Sequence, residues 1–377
     1  MERLSEELLD HIVSEVTNPL PSRHKPLYND LLSLSLVSRK FCRIVEPYIY
    51  RSLIMIANNG EKMLRTTNTR SELLRHVRAV FVEQYCHVAD EIRDFIMHLP
   101  NLQELDLDIM GSFKECGLSD IVPVLKLRTL TTLRLSGVAA RETVAMSLDD
   151  WKFENNTVTS LDLSFFEPQD GEELSEKIRI FAAVFRNLRS LKLHANYQWN
   201  THIPILTGFT FRCLVYSFKH AFETTLREFS FGYNDDYGHS EEFEVLGHSL
   251  GAREILKASR LENLKIDTIC LQKANQTNKL RSLLLEPSCL PTSLRTLYVR
   301  HIVATGNLNP EERNLMHSDE AQCLSQLVNL ASRRSRFPNL QKLTLAISLP
   351  PFFEEVASRV VKIQARKAKV QLELMFM

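Results

Sequence analysis

The sequence predicts an α/β chain in two parts: a small all-α segment over residues 1–53, then an irregular strand–helix repeat array over residues 54–377. Three observations carry this reading. Apolar residues in the first fifty or so positions recur at spacings of three and four, the period of one helical face. From Val77 onward the pattern L-x-x-L-x-L returns about every thirty residues. Amphipathic stretches of helical period lie between those motifs.

The helical part begins with LSEELLDHIVSEV, residues 4–16. Leu4, Leu8, Leu9, Ile12 and Val16 form its apolar side, Ser5 suits the N-cap, and Glu7 and Asp10 suit the first turn. TNPLPSRHKP holds three prolines and reads as a loop. A second helix is expected to start near Asn29 or Asp30 with a stripe of Leu34, Val37, Phe41, Ile44, Val45 and Tyr48. Pro47 lacks an N–H and disfavours helix at the residue before it, so that helix should end near Val45 or Glu46. Leu32 and Leu36 fall on the opposite side of the cylinder. This second apolar face packs either on a neighbouring element of the same chain or on a partner protein. Two or three helices in about 50 residues make a small core that needs outside support.

The repeat is clearest at Leu102/Leu105/Leu107, Leu130/Leu133/Leu135, Leu188/Leu191/Leu193 and Leu340/Leu343/Leu345. Variants stand at Val158/Leu161/Leu163, Leu226/Phe229/Phe231, Leu261/Leu264/Ile266 and Leu294/Leu297/Val299, with a weaker opener at Val77/Val80/Val82. Each predicts a strand whose apolar residues share one face. Helices are expected over 90–99, 172–188, 318–331 and 352–366, and a closing edge strand at VQLELMF. The segment NKLRSLLLE also matches the motif but sits too close to the next unit, so it reads as helix.

This arrangement resembles the leucine-rich repeat family over residues 70–377. The resemblance implies stacked units, a parallel β-sheet on the concave side and helices on the convex side, because no single unit can bury its apolar face alone. Leucines would point into the stack and the residues between them onto the concave surface. The usual Asn after the last leucine is present only at Asn196 and Asn234; Met110, Val138, Phe166, Ile269, Ile302 and Ser348 replace it elsewhere. An irregular solenoid follows from that gap and from the uneven steps.

Residues 1–53 resemble the F-box. The matching positions are Leu4, Glu7, Leu8, Leu9, Ile12, Asp30-Leu31 and Val37-Ser38-Arg39-Lys40-Phe41, followed by Glu46-Pro47-Tyr48-Ile49-Tyr50-Arg51-Ser52-Leu53, which looks like an ending frequent in fungal F-box proteins. Ser5 replaces the usual proline, and the loop between the helices is longer than typical. The resemblance implies a substrate-recognition subunit of an SCF-type ubiquitin ligase. Its F-box would bind the Skp-type adaptor, and through it a cullin, with Leu4, Leu8, Leu9, Ile12, Leu31, Leu32, Leu36, Val37 and Phe41 at the contact. The repeats would present an unidentified protein substrate. The alternative is a repeat scaffold with no role in ubiquitin transfer.

Other classes find little support. There is no GxGxxG and no GxxxxGK[ST] motif, and the 12 histidines form no spacing of a triad or metal site. No catalytic residue, metal or cofactor is therefore expected. The N-terminus does not read as a secretory signal, no stretch reaches the length of a membrane span, and zero net charge gives no nucleic-acid footprint. Seven scattered cysteines read as small buried thiols in a reducing compartment, cytoplasmic or nuclear. The sequons at Asn155 and Asn275 read as accidental. Charge is uneven: residues 142–176 are acidic, and 333–369 carry a basic run through Arg333, Arg334, Arg336, Lys342, Arg359, Lys362, Arg366, Lys367 and Lys369. The candidate substrate surface lies in insertions that follow strands and carry Tyr197, Trp199, Tyr233, Asp235 and Asp236, aromatic and acidic types suited to basic or mixed-charge partners.

Overall fold

The leucine motifs form strands, and those strands set the architecture. The computed structural model describes residues 5–17, 26–55, 65, 69–83, 89–108, 121–139, 151–166, 171–196, 216–233, 260–267, 290–302, 337–348 and 371–376. The chain is α/β and divides into two units, Met1–Gly137 and Val138–Met377.

In the first unit three helices, α1 (Glu6–Thr17), α2 (Pro26–Ser35) and α3 (Arg39–Ile49), lead into β1 (Ser52–Met55). A 3-10 helix (Ser71–His76), β2 (Ala79–Val82), α4 (Ala89–Met97), β3 (Glu104–Asp108), α5 (Val122–Leu125) and β4 (Thr132–Ala139) follow. β1 pairs β2, β2 pairs β3 and β3 pairs β4, all parallel. Leu53, Val80, Leu105 and Leu133 stand side by side in register, as do Met55, Val82, Leu107 and Leu135. All eight are buried. β1 was not anticipated: Tyr50, Leu53 and Met55 are a degenerate repeat motif, so the strand array begins inside the segment read as helical. The stripe Ile92, Phe95, Ile96 and Leu99 on and just after α4 is buried as its spacing predicts.

The second unit contains β5 (Ser160–Phe166), α6 (Gly171–Ala183), β6 (Ser190–Asn196), α7 (Lys219–Thr224), β7 (Glu228–Tyr233), β8 (Asn263–Asp267), β9 (Thr296–Ile302), β10 (Lys342–Ser348) and β11 (Gln371–Phe376). Each strand pairs the next in parallel. Leu191 lies between Leu161 and Phe229, and Leu193 between Leu163 and Phe231. These six are buried, whereas Lys192 between them is exposed, as the alternation of side chains along a strand requires. The expected helix 172–188 ends at Ala183 instead. The chain there turns to bridge Asn155, whose N–H bonds the Val184 carbonyl at 2.9 Å while its own carbonyl accepts from Arg186 N. The regions 278–286, 318–331 and 352–366 lie outside the described residues.

A backbone device recurs within each unit. The carbonyl just before a strand accepts two N–H groups from the next repeat: Arg51 from Arg78 and Ala79, Arg78 from Gln103 and Glu104, and Gln103 from Thr131 and Thr132. In the second unit Thr159, Arg189, Arg227, Glu262 and Arg295 do the same. The register of each strand is thus fixed where it begins.

The N-terminal helices correct the sequence reading in three places. The second helix starts at Pro26, not Asn29; proline fits the first helical turn, where its missing N–H needs no partner. The long helix is two, broken at Leu36–Val37. Ser38 is extended and its hydroxyl accepts from Phe41 N at 3.2 Å, so it caps a new helix. Nor does Pro47 end that helix, which runs to Ile49, with Tyr50 N bonding the Glu46 carbonyl at 3.2 Å. Proline in a helix interior costs about 3 kcal/mol or more. The turn beyond it carries Ile49 into the core with Leu9, Val13, Leu31, Phe41, Ile44 and Val45, which offsets that cost.

Candidate interaction surfaces

The first surface belongs to the three helices. Ser5 caps α1 through its hydroxyl, which accepts from Leu8 N at 3.2 Å. Glu7 beside it lies below the usual carboxylate range, held by its own backbone N–H, then by Ser5, with Lys40 adding a smaller pull. α1 is fastened to α3 by the Arg43–Glu6 ion pair and by Tyr48, whose hydroxyl donates to Asp10 Oδ1 at 3.0 Å. Burial first, then that bond to Asp10, pushes the Tyr48 phenol up.

With the helices fixed in this way, their apolar residues divide. Leu9, Leu31 and Phe41 are buried in the helices' own core. Leu8, Ile12, Leu32, Leu36 and Val37 are exposed, Leu36 at 87% and Val37 at 62%. The break before Ser38 creates the exposure of these last two, because Leu36 and Val37 occupy the turn rather than a helix face. Leu4 lies outside the described residues. Among those residues only Met97, Tyr216 and Met375 are comparably exposed large apolar side chains elsewhere. Cys42 is exposed too, which corrects its reading as a buried thiol; the other six cysteines lie outside the described residues.

The second surface is the strand face that the leucines leave open. In the second unit Asp162, Lys192, Ser230, Lys265, Tyr298, Thr344 and Glu373 stand next to one another in register. They interact across strands. His194 Nε2 is 3.4 Å from Asp162 Oδ1, Lys265 Nζ lies 4.7 Å from the Tyr298 ring centroid, and Lys342 Nζ is 2.6 Å from Glu373 Oε2. Lys342 and then Thr344 hold the Glu373 carboxyl below its usual range. In the first unit Arg134 Nη1 is 3.0 Å from Glu104 Oε1. These are polar cross-strand pairs of alternating sign, a surface suited to hydrogen-bonding a polar polypeptide.

Tyr197, Trp199, Asp235 and Asp236 lie outside the described residues. Tyr233 is the last residue of β7, opposite Ala195. Of the basic run only Lys342 is described, and it is paired. His98 follows the last residue of α4, and His194 and His220 sit on β6 and α7; the ring of His98 contacts the Asp94 carbonyl at 2.6 Å.

One buried polar residue was passed over in the sequence. Asn155 is 4% exposed, and its Oδ1 accepts from Thr157 N at 3.0 Å and Val158 N at 2.8 Å. It builds the turn into β5, and only the local Asn-x-Thr pattern hinted at such a bend. No protein-family model matches this chain, and no curated protein matches it.

Proposed function

We propose that the chain is a non-catalytic recognition subunit of an SCF-type ubiquitin ligase, with the helical segment an F-box that docks a Skp-type adaptor and the repeats holding a protein substrate. One observation supports this most: among the described residues, five of the eight exposed large apolar side chains belong to the first 37 positions. Fully burying a leucine is worth about 1.5–3 kcal/mol, so covering this set is a strong drive to associate. The set also falls on positions that the F-box resemblance assigns to the adaptor. Leu8, Ile12, Leu32, Leu36 and Val37 are the contact residues in this reading, and Leu9, Leu31 and Phe41 support them from beneath. The repeats contribute a polar, mixed-charge strand face, and in sequence the segments carrying Tyr197 and Trp199, and Asp235 and Asp236, follow β6 and β7.

The test is capture of a purified Skp-type adaptor by the full chain. Leu36→Asp with Val37→Asp should abolish capture while leaving the thermal midpoint unchanged, since both side chains are already in solvent. Wild-type affinity in that variant refutes the F-box reading. Adaptor capture without recruitment of a cullin favours the scaffold alternative.

A further inference from the structure

Acidic and basic side chains on the second unit's strand face are not equally satisfied. Building on the reading that the repeats hold a protein segment, we propose that the part of this face over β6–β8 takes an acidic one, rich in glutamate or aspartate.

Parallel register lays out the row. Lys192 on β6 stands opposite Ser230 on β7, and Ser230 opposite Lys265 on β8. Both lysines are exposed, alternating with the buried Leu191, Leu193, Leu264 and Ile266. Their backbones are two strand spacings apart, roughly 10 Å. That is close to the Debye length of about 8 Å at physiological salt, so both ammonium groups act on one ligand. Only Ser230, small and half-buried, stands between them in the row.

The surrounding charges set the sign. Asp162, the neighbour of Lys192 on the other side, has His194 Nε2 at 3.4 Å from its Oδ1. Glu228 Oε1 accepts from Asn263 Nδ2 at 3.2 Å. Glu373 is engaged by Lys342 and Thr344. Among the described residues no carboxylate lies within 4.0 Å of the Lys192 or Lys265 ammonium. Lys265 instead sits over the Tyr298 ring, 4.7 Å from its centroid. That contact keeps the ammonium on the strand face, and a lysine with three N–H donors retains others for a ligand. A basic segment would have to draw carboxylates away from partners they already have, and would meet two unneutralised cations. An acidic segment displaces nothing. This sign differs from the preference for basic partners expected from Asp235 and Asp236.

The experiment follows the anisotropy of a labelled glutamate–serine peptide titrated with the full chain at low salt. Exposed ion pairs are individually weak, so a Kd on the order of 0.1–1 mM is expected, with the lysine–serine counterpart silent. K192Q/K265Q should weaken binding roughly three- to tenfold with an unchanged circular dichroism spectrum. K219Q/R186Q removes the same charge from exposed side chains that already face carboxylates, Glu223 at 3.9 Å and Glu154 at 3.0 Å; it should leave binding unchanged. The proposal is overturned by the absence of saturable binding up to about 10 mM, by equal weakening in K219Q/R186Q, by wild-type binding in K192Q/K265Q, by the lysine peptide binding as well as the glutamate one, or by equal binding of an oligothymidylate of the same charge. Adaptor capture is measured on the same preparations. Capture without peptide binding overturns the acidic segment alone; peptide binding without capture supports the acidic segment and overturns the F-box reading.

Discussion

The helices and the strands treat the same kind of residue in opposite ways. Leu191 and Leu193 on β6 are fully buried by the strands on either side, and Leu161 and Phe229 are buried with them. Leu36 and Val37, no less apolar, stand in water between α2 and α3. A repeat array is closed by its own neighbours, so each unit's apolar face is covered by the next one. Three short helices have too few neighbours to cover every face. What remains uncovered is available to something else, and that difference separates strands whose apolar faces are covered by their neighbours from helices that leave apolar side chains in solvent.

Substitutions can break this contrast. The largest stability effect is expected at Leu191→Ala, a loss of about 2–5 kcal/mol from cavity formation, whereas Lys192→Ala beside it should change stability by less than about 0.5 kcal/mol. Equal losses in denaturant titrations would mean that the two faces of β6 are exchanged, since a slip of one residue swaps them. Next comes Asn155→Ala, which strips the acceptor from the Thr157 and Val158 amides; leaving such groups unsatisfied costs about 1–3 kcal/mol. Ser38→Ala removes the cap of α3, and a loss of about 1 kcal/mol is expected. A null result there would mean that the break between α2 and α3 is set by something other than the cap. The smallest effect should be Leu36→Asp, within about 0.5 kcal/mol in the isolated chain. A loss of several kcal/mol would place Leu36 in the chain's own core and remove the contrast.

The same division explains what the sequence disclosed. Strands were legible because their signal is redundant: Leu102, Leu105 and Leu107 alone say little, but the pattern returns and each copy pairs with the next. The helix ends were less legible because single residues decide them. Ser38 looked like one more polar position in an unbroken stripe, yet its hydroxyl starts a new helix. Pro47 looked like a stop, yet burial of Ile49 on the next turn outweighed it. β1 was hidden because Tyr50 and Met55 replace leucines in its motif. The apolar residues at the candidate docking surface were visible as a group, but periodicity could not separate Leu9, Leu31 and Phe41 from their exposed neighbours. That separation depends on how three helices pack.

The paired amides on each pre-strand carbonyl also bear on how such a chain can change over generations. First positions of successive motifs are separated by as few as 25 and as many as 46 residues, yet among the described residues eight repeat entries are tied to the strand before them by the same two bonds. Insertions and deletions between one strand's exit and the next entry do not disturb that tie, so length can drift there without shifting any register. A single residue gained or lost between the carbonyl and its strand would move the whole leucine set to the wrong face. Length variation among descendants of this sequence should therefore collect after the strands, and the few residues at each entry should keep their count even where their identities change.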